Sequence, residues 1–214
     1  MPDSPDVPNA PEASEAIDVI TLKYTESRVV DHPKWINHDV SYYDQRMKLL
    51  IEELIAKGIT IRTAESCTGG GITNAITDID GSSKIIDFST VVYSPEVKQK
   101  VLGVHPNLTT DEMIVSKQTS RAMNWGLQKL CKTMKLERKC EVYVSITGWI
   151  GSNPMKNGYY AIFTLCNHEK TVMSTFNVNV DLGTDKESKK RMLIKRIVLE
   201  VLDFHQKCKE QASL

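Results

Sequence analysis

A strand-like run at residues 59–64 passes straight into Glu65-Ser66-Cys67-Thr68-Gly69-Gly70-Gly71, and a helical pattern follows through about Thr77. This junction constrains the fold more than any other stretch. Strand, glycine-rich turn and helix in immediate succession form the repeating unit of layered α/β domains. Such turns sit at the carboxyl edge of a sheet, where side chains and free N–H groups face a ligand.

The rest of the chain extends the pattern. Met47, Leu50, Ile51, Leu54 and Ile55 recur at helical spacing, and Gly58 stands where a terminating glycine belongs. Residues 85–93 read as a buried strand. Ser94 and Pro95 supply an N-cap and a first-turn proline for a short helix that runs to Leu102 and stops at Gly103. Ser116 caps a long amphipathic helix through Met134. Residues 141–147 form a strand leading into Gly148, and 159–166 with 171–180 form a strand pair. Asp185 opens a closing helix carrying Met192, Leu193, Ile197, Leu199, Val201, Leu202 and Phe204. Strands alternating with helices, then adjacent strands, predict one layered α/β domain with a mixed sheet.

The amino end differs. Pro2, Pro5, Pro8 and Pro11 recur every third position, and Asp3, Asp6, Glu12, Glu15 and Asp18 are the side-chain charges before Lys23. Such a segment buries too little apolar surface to offset its ordering entropy, so residues 1–20 read as a disordered acidic tail. The proline spacing also suits a polyproline helix that docks on a protein partner; a solvated tail is the plainer reading. Residues 21–44 read as an extension of uncertain order and 45–208 as the domain.

Lys+Arg and Asp+Glu both count 27, which gives no global argument for nucleic acid or an anionic membrane. Without the five tail acids the body stands at +5, a mild bias toward anionic small molecules. No apolar run approaches a membrane span, and the acidic start lacks signal-peptide character. Five cysteines without a CxxC pair, and five histidines without paired spacing, argue against a disulfide framework and a metal site. A cytoplasmic or nuclear location fits this usage.

Three segments carry chemistry. In 63–71, Ser66 precedes a helix N-terminus whose dipole favours anions; it is either a nucleophile in that field or simply an N-cap. In Tyr93-Ser94-Pro95-Glu96-Val97-Lys98, a lysine near the start of a helix has its pKa lowered by the dipole and can act as a general base, with Tyr93 orienting it. The plainer alternative is a surface ion pair and a core-edge tyrosine. In 145–158, glycines, asparagines and Lys156 either cradle a phosphate or make an ordinary turn. GxGxxG and Walker A patterns are absent. The basic run Lys189, Lys190, Arg191, Lys195 and Arg196 reads as a solvated face.

Taken in order, Thr63-Ala64-Glu65-Ser66-Cys67-Thr68-Gly69-Gly70, Gly81-Ser82-Ser83, Tyr93-Ser94-x-Glu96-x-Lys98, Leu102-Gly103-Val104, Val115-Ser116 and Thr147-Gly148 resemble the CinA C-terminal domain family over roughly residues 45–205. Enzymatic members are nicotinamide-nucleotide amidohydrolases. The resemblance implies a three-layer α/β/α domain with a mixed sheet and hydrolysis of nicotinamide mononucleotide to nicotinate mononucleotide and ammonia. It implies Ser66 as nucleophile, ahead of the neighbouring Cys67, with Tyr93 and Lys98 activating it. Glu65, Thr68, Gly69, Gly70, Thr147, Gly148, Gly151 and Lys156 would contact substrate. No metal or organic cofactor is implied, and a homo-oligomer is.

The loop after Gly148 departs from the family pattern: it is shorter and gains Trp149, with Gly151, Lys156 and Gly158 matching. Two alternatives follow from that departure. One is an amidase for a different substrate; the other is a binding or regulatory protein on the same scaffold.

Overall fold

The computed structural model describes residues 23–24, 28–29, 40–138, 140, 142–151, 160–167, 172–179 and 185–210. The tail at 1–20 lies outside them. In chain order the elements are β1 (Lys23–Tyr24), β2 (Arg28–Val29), α1 (Val40–Lys57), β3 (Ile61–Glu65), α2 (Gly71–Thr77), β4 (Ile86–Val91), α3 (Pro95–Leu102), α4 (Lys117–Thr133), β5 (Val142–Trp149), β6 (Tyr160–Asn167), β7 (Val172–Asn179) and α5 (Lys186–Glu210). Helix α1 begins inside the expected extension, and the two short strands ahead of it pair parallel with β7.

The sheet runs β1-β7-β6-β5-β3-β4, with β2 also on β7. Strands β4, β3 and β5 are parallel, and β5, β6 and β7 are antiparallel, giving the mixed sheet expected. Period-two alternation divides the core. On β5, Val142, Val144 and Ile146 pack with Ile51 and Leu54 of α1, Ile72 and Ile76 of α2, and Leu193, Ile197 and Val201 of α5. Tyr143 faces the other way and joins Leu102 of α3 and Met123, Leu127 and Cys131 of α4. Three layers result, with α1, α2 and α5 on one face and α3 and α4 on the other. Each fully buried isoleucine or leucine contributes about 1.5–3 kcal/mol.

Two expectations need correction. Strand β4 is half-exposed rather than buried, because among the described strands it pairs only with β3. Strand β5 does not end before Gly148: Gly148 and Trp149 still pair with Ala161 and Tyr160 of β6. No helix among the described residues is long and apolar enough to cross a membrane.

The connections β3-α2-β4 and β4-α3-α4-β5 lie on opposite faces of the sheet and carry the chain to opposite sides of β3. A crevice opens at the carboxyl end of strands where such connections diverge. Ser66 follows β3 at that end.

Candidate active site

Side-chain alternation along β3, carried one residue past its end, sends Glu65 toward α2 and Ser66 toward α3. The start of α3 is fixed as the sequence predicts: Ser94 Oγ accepts from Val97 N at 3.2 Å, and Pro95 occupies the first turn. Helical side chains lean toward the helix N-terminus, so the Lys98 stem runs back over the chain that enters α3. Its Nζ donates to Ser66 Oγ at 2.9 Å, to Val92 O at 2.8 Å and to Tyr93 O at 2.8 Å. Among the described residues Lys98 is the bulkiest fully buried side chain, and Ser66 is 6% exposed.

Among the described residues no carboxylate pairs with Lys98. Its pKa falls to about 8, chiefly because burial disfavours the charged form; the Cys67 thiol opposes this. The sequence pointed to the helix dipole, but desolvation is the larger cause. With the lysine neutral, two N–H bonds can stay on the Val92 and Tyr93 carbonyls while the lone pair faces the Ser66 hydroxyl. That is the geometry of a base aimed at a nucleophile.

The turn after Ser66 is shaped by glycines. Gly69 and Gly70 have φ of 61° and 90°, left-handed values that only glycine adopts cheaply. Gly69 N donates to Ser66 O at 3.0 Å, and Gly71 N to Thr68 O at 3.1 Å. Among the described residues, the N–H groups of Cys67, Thr68 and Gly70 are donated to no oxygen. The Thr68 hydroxyl is buried with no hydrogen-bond partner among the described residues.

Several expected roles are corrected. Ser66 does not hold the N-terminus of α2 as its cap; Gly70 is the N-cap. The positive helix end is taken by Glu65, which is fully buried and accepts from Ile72 N at 3.0 Å and Thr73 N at 2.9 Å. Thr73 Oγ1 adds a third bond to it at 2.8 Å. Glu65 is thus an internal anion that completes α2, not a group offered to substrate. Tyr93 is 66% exposed, and its main-chain carbonyl rather than its ring holds Lys98. Thr147 is buried and gives its hydroxyl to Ile114 O at 2.8 Å. Cys67 is a poor nucleophile because burial pushes its thiol up to about 12. Lys156 lies outside the described residues, and Gly148 belongs to β5.

The sequence reads Lys190 as part of a solvated basic face and does not single out Lys186. The Lys190 ammonium lies 3.3 Å from where a β-carbon on Gly69 would stand, and that of Lys186 lies 4.0 Å from the same point at Gly151. Their four-residue spacing was the available signal, but it was lost within a longer basic run.

Residues 44–201 match the family model described as the CinA C-terminal domain. A CinA-like protein from Endomicrobium trichonymphae is 38% identical over 135 residues, which is 62% of this chain and 29% of the relative. A CinA-like protein from Myxococcus xanthus is 35% identical over 103 residues, 48% of this chain and 23% of the relative. The chain therefore aligns with less than a third of the length of these curated relatives. A CinA superfamily protein from Escherichia coli superposes with a TM-score of 0.65 at 19% identity, covering 83% of this chain and 95% of that one. Another, from Klebsiella pneumoniae 700603, gives 0.64 at 20% identity, covering 75% and 96%. At such identities the structural likeness speaks for the fold alone.

Proposed function

The chain belongs to the CinA C-terminal domain family, and from that premise we propose that it is a serine amidohydrolase that deamidates nicotinamide mononucleotide. The observation that carries this reading is the contact between Lys98 Nζ and Ser66 Oγ at 2.9 Å, buried and without a counter-ion among the described residues. Neutral Lys98 takes the Ser66 proton as Oγ attacks the amide carbon. The tetrahedral oxyanion is held by the free N–H groups of Thr68 and Gly70. Lys98 returns the proton to the leaving nitrogen and ammonia departs. Water, deprotonated by the same lysine, then splits the ester at Ser66 and releases nicotinate mononucleotide. The unpartnered Thr68 hydroxyl supports the reading, since a buried hydroxyl without a partner is rare unless a ligand or water meets it.

The test is ammonia release from nicotinamide mononucleotide by the parent chain and by Ser66→Ala. Release by the parent, abolished in the variant, with kcat/KM rising through a pH of about 8, is the expected result. No release by a folded parent chain contradicts the proposed substrate. In that event, labelling of Ser66 by an acylating probe would point to a different amide, and no labelling would point to a binding protein on this scaffold.

A further inference from the structure

We infer that Trp149 sets specificity at this site, its indole forming a wall for the flat, positively charged ring of a pyridinium carboxamide. That role rests on the amidohydrolase reading and deepens it by naming what meets the ring that carries the amide.

Alternation along β5 decides which face Trp149 serves. Ile146 and Ile150 pack with α1, α2 and α5, so the even-numbered side chains at this end turn that way. The odd-numbered ones turn the other way. Tyr143 joins the core under α3 and α4, Ser145 Oγ donates to Ser120 O of α4 at 2.7 Å, and Thr147 Oγ1 donates to Ile114 O ahead of α4. Trp149 comes next in that series, on the face where Lys98 meets Ser66. It is half-buried and belongs to neither core cluster among the described residues.

Register places it along the strand. The β3–β5 ladder ends with Ala64 opposite Ser145. One further side-chain repeat sets Thr147 beside Ser66, and the next carries Trp149 about 7 Å beyond. There β3 has ended, whereas β5 is still held by the pairing of Trp149 with Tyr160 of β6. The strand edge beside the nucleophile is therefore open, while the residue that borders it is fixed in a ladder. A position on a strand is set more tightly than one on a loop. Lys98 reaches Ser66 from the β4 flank, where the Val92 and Tyr93 carbonyls hold it. Trp149 stands on the β5 flank. An amide whose carbon meets Ser66 Oγ carries its ring out between the two.

Charge selects the ring. The carboxylate next to Ser66 in the sequence is not available to a cation, because Glu65 faces α2 and accepts from Ile72 N and Thr73 N. An aromatic face attracts a cation without a counter-charge, and tryptophan does so most strongly. A pyridinium ring offers both a flat surface to stack and a positive charge to hold. A neutral aromatic amide offers only the first, and an aliphatic amide neither.

The test uses the full chain carrying Ser66→Ala, which binds without turning over. Calorimetry compares nicotinamide mononucleotide with its reduced form, which keeps the amide, ribose and phosphate but has an uncharged ring. The oxidised form is expected to bind more tightly. Adding Trp149→Leu is expected to weaken it roughly tenfold or more and to leave the reduced form within about twofold, so the preference collapses. Trp149→Phe keeps part of the preference. A second measurement leaves Trp149 in place. With Trp35→Phe and Trp125→Phe it is the remaining tryptophan, and the oxidised nucleotide is expected to quench its emission. Equal weakening of both forms, weakening of neither, tighter binding with leucine, no binding of either form, or unquenched emission at saturation overturns the wall. If Trp149 sets the preference while the parent releases no ammonia, the amidohydrolase reading falls and the wall stands. If the parent releases ammonia and Trp149→Leu leaves the preference intact, the wall falls and that reading stands.

Discussion

Arg62 and Lys98 are both buried cations next to the same strand, and they have opposite fates. Arg62 is the second residue of β3 and is 3% exposed. A register shift between Ile61 and Arg62 in the β3–β4 ladder pairs Arg62 with Phe88 and skips Asp87, and the guanidinium grips both Asp87 carboxylate oxygens at 2.8 Å. Arg62 Nη2 also donates to Arg138 O. This bidentate partner raises the arginine's pKa and holds the Asp87 carboxyl below its ordinary range. Lys98, beyond the other end of the strand, has carbonyls and a hydroxyl instead of a carboxylate, and burial drives its pKa down. Pairing decides whether a buried cation is a fixed charge in the scaffold or a proton acceptor near neutral pH.

Removing each cation's function should separate the two roles. Lys98→Met is expected to cost roughly 10²–10⁴-fold in kcat with little change in KM, because the lysine moves a proton rather than binding substrate. Steady-state kinetics check this, and a pure KM effect would reverse the assignment. Stability supplies a second reading with a definite sign. Between pH 8 and 10.5 the unfolded lysine holds a proton that the folded one has lost, so the parent gains stability as pH rises through that window. The melting temperature of Lys98→Met relative to the parent should therefore be highest below that window and decline across it.

Asp87→Asn should do the converse. It strands a buried guanidinium, so chemical denaturation should show a loss of about 3 kcal/mol, while kcat of the folded fraction stays near the parent value. A large loss of kcat with unchanged stability would erase the distinction between the two ends of the strand. Tyr93→Phe is the smallest of the three. Because the Tyr93 carbonyl, not the phenol, holds Lys98, kcat should change by less than about fivefold. A loss as deep as that of Lys98→Met would place the phenol in the chemistry after all.

What the sequence discloses divides along the same physical line. Local chemistry is legible: Ser94 with Pro95, Gly103, Ser116 and Asp185 each cap a helix through bonds spanning a few residues, and all four stand at helix ends in the structure. The mixed sheet follows from the order of strand and helix patterns. Features set by distant packing are not legible. An apolar strand such as β4 reads as buried whether or not a further strand covers its edge. The continuation of β5 through Trp149 depends on its partner Tyr160. Glu65 stands beside the nucleophile in the sequence, and only the placement of α2 reveals that its carboxylate points away from Ser66 into a helix end. The two α5 lysines come from more than a hundred residues downstream and are brought in by Ile194 packing on Gly71.

The central claim concerns one amine, and its titration is the most direct test. Lysines carrying ¹³C at Cε, followed by NMR in the full chain with Lys98→Met to assign the resonance, report that pKa. A Lys98 signal titrating near 8 is the predicted result. A signal titrating near 10.5, the ordinary lysine value, would mean that the amine beside Ser66 is charged at neutral pH and cannot accept its proton.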